Sequence, residues 1–288
     1  MSYELVLGNY TYSSWSLRGW LLLHRFDIPF RVRRVDFLDG SVADQVAALR
    51  PARTVPVLVA DDGAVIWDSL AIAEEIASRH PDAGIWPSDP AARAMARSLA
   101  AEMHASYGAL RGECPMHLRT AYSDYAISDE ARADVARIED LWSFARARFG
   151  GDGPWLCGAY SAADAFFAPI AARFATYGLG TGDAARDYVA AHLGDPAFRR
   201  WRAMGIARQE HLPWYDRDAP RTDWPGPAPR AARAVEDGTP ENDACPYSGK
   251  DITHLLEIDG RVFGFCNAFC RDKTLADPEA WPAFTALL

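Results

Sequence analysis

Two adjacent serines, Ser13 and Ser14, stand where the sequence predicts the beginning of a helix. Residues 5–7 are predicted as a short buried strand, and the apolar residues between positions 15 and 26 lie mostly at helical spacings. Small hydroxyl residues before such a run suit an N-cap, and a helix N-terminus offers unpaired N–H groups and a partial positive charge. A thiolate held there would be stabilised, so the two serines predict a site that activates a bound thiol.

The composition limits the classes of protein that can carry this site. The chain has 288 residues, of which 49% are hydrophobic and 24% charged, and a formal net charge of −9. Such a chain is expected to be globular, and its acidic balance disfavours nucleic acid and anionic lipid as partners. No apolar stretch approaches the roughly 20 residues of a membrane helix. Five scattered cysteines and an N-terminus without signal-peptide features favour a cytoplasmic protein with reduced thiols.

Four segments differ in their sequence patterns. Residues 1–82 predict an α/β domain with the order β-α-β-α-β-β-α, in which Asp61-Asp62-Gly63 is a hairpin signal. Residues 88–212 predict an all-α helical bundle, with helices over 91–110 and 129–149 and a third opening at a capping box of Ser161 and Asp164. Residues 213–242 contain six prolines and predict an extended linker. Residues 243–288 predict a small cysteine-containing module.

Together, these motifs resemble those of the cytosolic glutathione transferases. The run from Tyr12 to Arg18 is similar to the serine motif of the zeta and related classes. Thr54-Val55-Pro56 resembles the family's loop with a cis proline, and Asp68-Ser69 its acidic-Ser pair. The resemblance implies a thioredoxin-like domain followed by a helical domain, glutathione as co-substrate and a homodimer.

The resemblance also implies roles for single residues. Val55 and Pro56 would hold the cysteinyl backbone of glutathione, while Asp68 and Ser69 would hold its γ-glutamyl ammonium and carboxylate. Motif alignment makes Ser13 the catalytic serine with Ser14 beside it, and a register error of one residue would exchange the two. The predicted pocket for the second substrate is lined by Tyr10, Trp15, Met103, His104 and Tyr107.

These roles predict a transferase in which a serine-stabilised glutathione thiolate attacks a small hydrophobic electrophile. Trp15 stands where the zeta pattern has cysteine, which argues against maleylacetoacetate isomerisation. Two other functions stay open. One is a noncatalytic protein that binds glutathione or a partner, and the other is a metal sensor centred on the terminal module.

The terminal module resembles the small metal-associated YHS/TRASH-type modules. The resemblance rests on a Cys-Pro knuckle at Cys245, the spacing of Cys266 and Cys270, and a closing Asp-Pro-Glu segment. Asp259-Gly260 predicts the turn before a strand over residues 262–265. The resemblance implies zinc or another thiophilic metal at these three cysteines. A structural zinc needs four ligands, and Ser248 occupies the place of a possible fourth cysteine. The fourth ligand could be His254, an acidic side chain or water; a metal-free knuckle and a Cys266–Cys270 disulfide are the alternatives.

Overall fold

A four-stranded mixed sheet forms the N-terminal part of the computed structural model, which describes residues 2–180 and 182–288. Its elements are β1 (Tyr3–Leu7), α1 (Ser14–His24), β2 (Phe30–Arg34), α2 (Val42–Gln45), β3 (Val57–Ala60), β4 (Val65–Trp67) and α3 (Ser69–Arg79), with a 3₁₀ turn at Ala47–Leu49. The strand order is β2-β1-β3-β4. β1 runs parallel to β2, and β3 is antiparallel to both β1 and β4. The predicted element order and the thioredoxin-like fold are confirmed.

The helical part follows a 3₁₀ turn at Pro81–Ala83. It contains α4 (Pro90–Ala105), α5 (Gly108–Glu113), the short strand β5 (Ala121–Tyr122), α6 (Asp129–Phe149), α7 (Ala162–Tyr177) and α8 (Asp183–Gly194). The helix predicted over residues 91–110 is two helices, because the chain leaves helical geometry at Ser106 and adopts a φ of 64° at Tyr107. α7 is almost wholly buried and packs on α1 and α4, so it is the central helix of this part. No helix among the described residues is long and apolar enough to cross a membrane.

The capping box at the start of α7 is present. Asp164 is fully buried and accepts hydrogen bonds from the backbone N–H groups of Leu156 (3.1 Å) and Ser161 (2.9 Å) and from the Tyr188 hydroxyl (2.9 Å). One carboxylate therefore joins the turn before α7, the cap itself and α8.

Replacement of Asp164 by alanine should destabilise this unit severely. Each buried donor left without a partner costs about 1–3 kcal/mol, so we expect Asp164→Ala to lower the free energy of unfolding by at least about 3 kcal/mol. Urea unfolding measures the loss. Asp129→Ala is the matched control, since Asp129 also lies in the first turn of a helix but is exposed. A loss below about 1 kcal/mol for Asp164→Ala would contradict this account of the cap.

The chain divides into two units, and the division differs from the predicted boundaries. The first unit runs to Leu193 and also includes Pro213–Pro225, half of the predicted linker. This returning segment, Pro213–Pro225, contains a 3₁₀ turn at Pro213–Tyr215 and the strand β6 (Arg221–Thr222), which pairs with β5. The prolines exclude a regular helix, but paired side chains still hold the segment in place.

The second unit comprises Gly194–Leu212 and Gly226–Leu288. Its elements are α9 (Pro196–Arg208), β7 (Arg233–Val235), β8 (His254–Ile258), β9 (Arg261–Phe265), α10 (Ala268–Ala276) and α11 (Pro282–Thr285), with a 3₁₀ turn at Pro278–Ala280. β7, β8 and β9 form an antiparallel sheet, and the predicted turn between the last two strands has positive φ at both Asp259 and Gly260. α9 packs on α10, and Arg199 binds both oxygens of Asp277 at 2.8 and 2.7 Å. A helix assigned by sequence to the helical domain thus belongs to the cysteine module.

Candidate functional site

A cavity of about 570 Å³ lies in the first unit at the N-terminus of α1. Its wall includes six of the residues predicted from sequence, namely Ser13, Ser14, Trp15, Val55, Pro56 and Asp68. The predicted thiol site and three of the four predicted glutathione-binding residues therefore share one cavity. The fourth, Ser69, is fully buried and is not part of its wall.

A glycine brings α1 close to the loop before β3. A Cβ atom at Gly19 would stand 2.9 Å from the ring carbons of Pro56, closer than real Cβ contacts allow. The Val55–Pro56 peptide bond is cis, as the resemblance predicted. Among the turns, loops and caps of the described residues, no backbone hydrogen bond involves Val55. Its backbone N–H and C=O groups are therefore available at the cavity wall.

The two serines have different hydrogen-bond roles. Ser13 is the N-cap of α1: its Oγ accepts from Ser16 N–H at 3.3 Å and donates to Ser16 Oγ at 2.8 Å. Ser14 Oγ accepts from the Arg173 guanidinium at 3.1 Å. The Ser13 proton is thus used within the cap. The Ser14 hydroxyl has its oxygen occupied by Arg173 and keeps a proton to donate.

Arg173 is a site residue that the sequence reading missed. It lies on α7, is buried, and donates to the carbonyl oxygens of Cys114 (2.7 Å) and Pro169 (3.0 Å) as well as to Ser14. Burial, and then the positive charge of Arg111, lower the pKa of Arg173 to about 10, so it still carries its charge at neutral pH. The sequence signal for Arg173 was an arginine within an otherwise apolar helix. Arg173 is 159 residues from Ser14, so no local pattern links the two residues.

A second arginine lies on the cavity wall. Arg111, on α5, donates to the Ser106 carbonyl at 3.1 Å and stands 4.6 Å from the centre of the Trp15 ring. Burial lowers the pKa of Arg111. The cavity therefore combines an apolar face with two guanidinium groups.

Asp68 and Ser69 form the beginning of α3. Asp68 caps the helix by accepting from Leu70 N–H at 2.7 Å, and its other oxygen pairs with His104 Nε2 at 3.2 Å. The Ser69 hydroxyl is fully buried and has no hydrogen-bond partner among the described residues. A buried hydroxyl without a partner is costly, and a polar ligand group would satisfy it.

Four residues predicted for the second-substrate pocket are not on the wall of this cavity. Tyr10 stacks under Arg34, and the Tyr107 hydroxyl donates to Glu102 at 2.8 Å. Met103 is buried with its sulfur 2.7 Å from Arg18 Nη2, and His104 reaches the cavity only through Asp68. The prediction combined Tyr10 of the loop after β1 with a single helix near residues 100–110, and that helix ends at Ala105, before Tyr107.

Tyr215 takes part in the wall instead. It belongs to the returning segment, and its ring lies 4.7 Å from that of Tyr12. The neighbouring residues hold the segment: Asp216 Oδ1 is 3.2 Å from Nε2 of buried His117, and Arg217 Nε donates to the Glu113 carbonyl at 2.9 Å. The sequence predicted this stretch as a linker, so Tyr215 was not predicted as a residue of the site.

Removal of the Tyr215 ring should weaken binding of the second substrate. We expect Tyr215→Ala to raise the KM for an aromatic electrophile about five- to thirtyfold, as loss of about 1–2 kcal/mol of apolar contact would. The KM for glutathione should change less than twofold. Steady-state kinetics with each substrate varied in turn measure both. Trp214→Ala is the control, because Trp214 is 57% exposed on the same turn. Equal effects of the two variants would contradict the assignment.

The second unit contains a separate cluster of three cysteines. The sulfurs of Cys245, Cys266 and Cys270 all lie within 4.8 Å of one another, and the last two are 3.8 Å apart. Four ligands about 2.3 Å from a tetrahedral zinc stand about 3.8 Å from one another, whereas disulfide sulfurs are about 2.05 Å apart. Among the described residues, neither His254 nor an acidic side chain joins the cluster. The arrangement suits a thiophilic metal better than a disulfide.

The pKa values of two thiols in this cluster are shifted in opposite directions: burial and then the charge of Cys245 raise the pKa of Cys270 to about 12, whereas hydrogen bonds lower that of Cys245. Burial raises the pKa of Cys245, but the backbone N–H groups of Cys266 and Tyr247 and the Ser248 hydroxyl outweigh it, and the pKa falls to about 7. In the first unit, burial raises the pKa of both Cys114 and Cys157 to about 12. Those two thiols are packed and unreactive at neutral pH.

Comparisons with known proteins agree with this fold. Residues 12–79 match the family model for the glutathione S-transferase N-terminal domain. A Caenorhabditis elegans protein named "Probable maleylacetoacetate isomerase" is 37% identical over 94 residues, 33% of this chain and 44% of that protein. This match thus spans less than half of the relative's length.

Solved structures extend the likeness to more of the chain. A glutathione transferase homolog from Burkholderia gl BGR1, with bound glutathione, is 22% identical, with a TM-score of 0.52 over 70% of this chain and 96% of that one. Human glutathione S-transferase T1-1 in its apo form is also 22% identical, with a TM-score of 0.51 over 73% and 92%. Residues 12–79 therefore match the N-terminal domain of the glutathione S-transferases, and over about seven-tenths of its length the chain has the fold of the glutathione transferases.

Proposed function

We propose that the protein is a glutathione-dependent transferase in which the Ser14 hydroxyl donates a hydrogen bond to the thiolate sulfur of bound glutathione. The observation that carries the proposal is the pairing of Ser14 with Arg173 at the cavity wall. With its oxygen held by a guanidinium, the serine hydroxyl is oriented as a donor, and the nearby positive charge favours the thiolate. Ser13, the donor expected from motif alignment, is assigned the role of helix cap.

The cavity wall offers partners for the ends of glutathione. The N-terminus of α3 suits the γ-glutamyl carboxylate, and the Asp68 carboxylate suits the ammonium. The Ser69 hydroxyl, which was predicted for the carboxylate, is fully buried and is not part of the cavity wall. The Val55 backbone suits the cysteinyl peptide. With these ends held, the thiol would lie toward the N-terminus of α1. The relatives solved with bound glutathione support this ligand.

The second substrate that suits the cavity is a small electrophile with an apolar body and an anionic group. Phe37, Val42 and Tyr215 supply apolar wall, and Arg111 supplies a cation beside Trp15. The sequence predicted a small hydrophobic electrophile, and the cavity adds an anionic group to that description. A carboxylate on the electrophile would offset the charge of the two arginines on the wall. Attack by the thiolate would form a carbon–sulfur bond at this electrophile. The displaced electron pair would depart with a leaving group in a substitution or, in an addition, would move from the broken π bond to the neighbouring atom, which takes a proton from water.

Titration of the protein with glutathione tests the proposal. Calorimetry should detect binding, and ultraviolet absorbance of the bound thiolate between pH 6 and 9 should give a pKa well below the value of about 8.5 for a free thiol. Binding without a lowered pKa would favour a noncatalytic binding protein. Absence of binding would refute the proposed co-substrate.

A second candidate function is metal binding by the cysteine cluster. The 3.8 Å separation of the Cys266 and Cys270 sulfurs is the observation that favours it. Cys245, Cys266 and Cys270 would hold the ion, and a metal would add stability to a unit with a small core.

Metal binding is expected at about one ion per chain. Metal-free protein should compete with a chromophoric chelator for zinc at submicromolar zinc concentration. Bound zinc should also raise the melting temperature of the protein, because binding favours the folded state. Cys266→Ser should lose this binding, while Cys157→Ala, which removes a thiol of the first unit, should keep it. Unchanged zinc affinity in Cys266→Ser would rule out the cluster as the site.

A further inference from the structure

Ser248 occupies the fourth corner of the cysteine cluster. Its Oγ lies 3.2 Å from Cys266 Sγ and donates a hydrogen bond to it. The knuckle turn fixes this position, because the Cys245 carbonyl accepts from the N–H groups of both Ser248 (3.3 Å) and Gly249 (2.9 Å). Gly249 has a φ of 66°, which glycine adopts without strain. The side chain of residue 248 is therefore held where a fourth protein ligand would stand.

A serine hydroxyl is a poor ligand for a metal bound by thiolates. Soft sulfur-rich sites select soft ligands, and a neutral hydroxyl oxygen is hard. In the part of the chain that the structure describes, no imidazole or carboxylate lies close enough to replace it. Sites closed by four protein ligands are structural, whereas a site with three keeps a position for an outside ligand.

The cluster opens onto a cavity that could admit such a ligand. The cavity measures about 620 Å³ and is lined by Ser248, Lys250, Asp251, Cys266, Asn267 and Cys270. Cys245 is only 2% exposed, so access to the cluster is through the other two sulfurs. Asn267 Nδ2 donates to Cys266 Sγ at 3.2 Å, and Lys250 brings a positive charge to the wall. Asp251 places an opposite charge on the same wall, so the group that favours a thiolate here is the Asn267 amide, which donates to sulfur.

We propose that the cysteine cluster, when it holds a thiophilic metal, takes a small-molecule thiolate from solution as its fourth ligand at the position that Ser248 leaves open. The thiol gives its proton to solvent, one metal–sulfur bond forms, and a metal-bound water leaves. No electron is transferred. The proposal rests on the metal site proposed above and not on the glutathione cavity of the first unit.

Cobalt substitution of the full-length protein tests this coordination. The sulfur-to-cobalt charge-transfer absorbance of the Co²⁺-loaded chain should rise by about one third on addition of glutathione, as the thiolate count goes from three to four. S-methylglutathione, which lacks the thiol, should cause no rise. Ser248→Cys should show the higher absorbance without added thiol and should not respond to glutathione. Ser14→Ala, altered only in the other cavity, should respond as the unaltered chain does.

The possible results separate the two proposals. Co²⁺ that binds without a rise on addition of glutathione overturns the open position and leaves the metal site standing. An equal rise with S-methylglutathione, or a rise that persists in Ser248→Cys, also overturns it. Failure of Co²⁺ to bind at all overturns both the metal site and this inference.

Discussion

Replacement of Ser14 by alanine is expected to lower kcat/KM at pH 7 by ten- to one-hundredfold. A hydrogen bond to an ionised group contributes about 1.5–3 kcal/mol, so its loss should raise the pKa of the bound thiol by about one to two units. At pH 7 the variant then holds less bound thiolate than the parent, whereas at pH 9 the two hold nearly the same amount. The difference in rate between variant and parent should therefore shrink as the pH rises. Initial rates across this range, with thiolate absorbance of the glutathione complex, measure both effects.

Ser13→Ala is the matched control for that experiment. Ser13 caps α1 through Ser16, so its loss should lower the free energy of unfolding by about 0.5–2 kcal/mol. The pKa of bound glutathione should change by less than half a unit. The reverse outcome, a raised thiol pKa in Ser13→Ala and a normal one in Ser14→Ala, would return the donor role to Ser13.

Loss of the Arg173 charge is expected to raise the pKa of the bound thiol by a similar amount. A unit charge about 6 Å from a thiolate contributes about 3 kcal/mol at an effective dielectric constant of about 20. Arg173→Met should therefore raise the pKa of the bound thiol by about two units and reduce activity at pH 7 accordingly. It also leaves the Cys114 carbonyl without its donor, so the stability of the variant must be measured beside its activity.

Arg173→Lys separates charge from packing. Lysine keeps a positive charge but cannot make the three hydrogen bonds that Arg173 makes to Ser14, Cys114 and Pro169. We expect it to recover about half of the pKa lowering that methionine abolishes. If the methionine variant is folded and its bound thiol titrates as in the parent, Arg173 is only a structural residue of α7.

The site shows which of its parts local sequence could predict. Ser13 and Ser14 were found because an N-cap and an apolar helical run are adjacent in the chain. Val55-Pro56 and Asp68 were found because each belongs to a short motif that resembles one of the glutathione transferases. Arg173 and Tyr215 were missed, since each reaches the cavity from an element far away in sequence.

Sequence by itself determined the local elements: the order of strands and helices in residues 1–82, the capping box at Ser161 and Asp164, and the hairpin turn at Asp259-Gly260. Each depends on interactions between residues close together in the chain. Tertiary structure alone decided that α9 packs on α10 and that Pro213–Pro225 returns to the first unit. It also decided which serine meets a buried arginine. Periodicity shows which face of an element is apolar, but only the packed structure decides which partner covers that face.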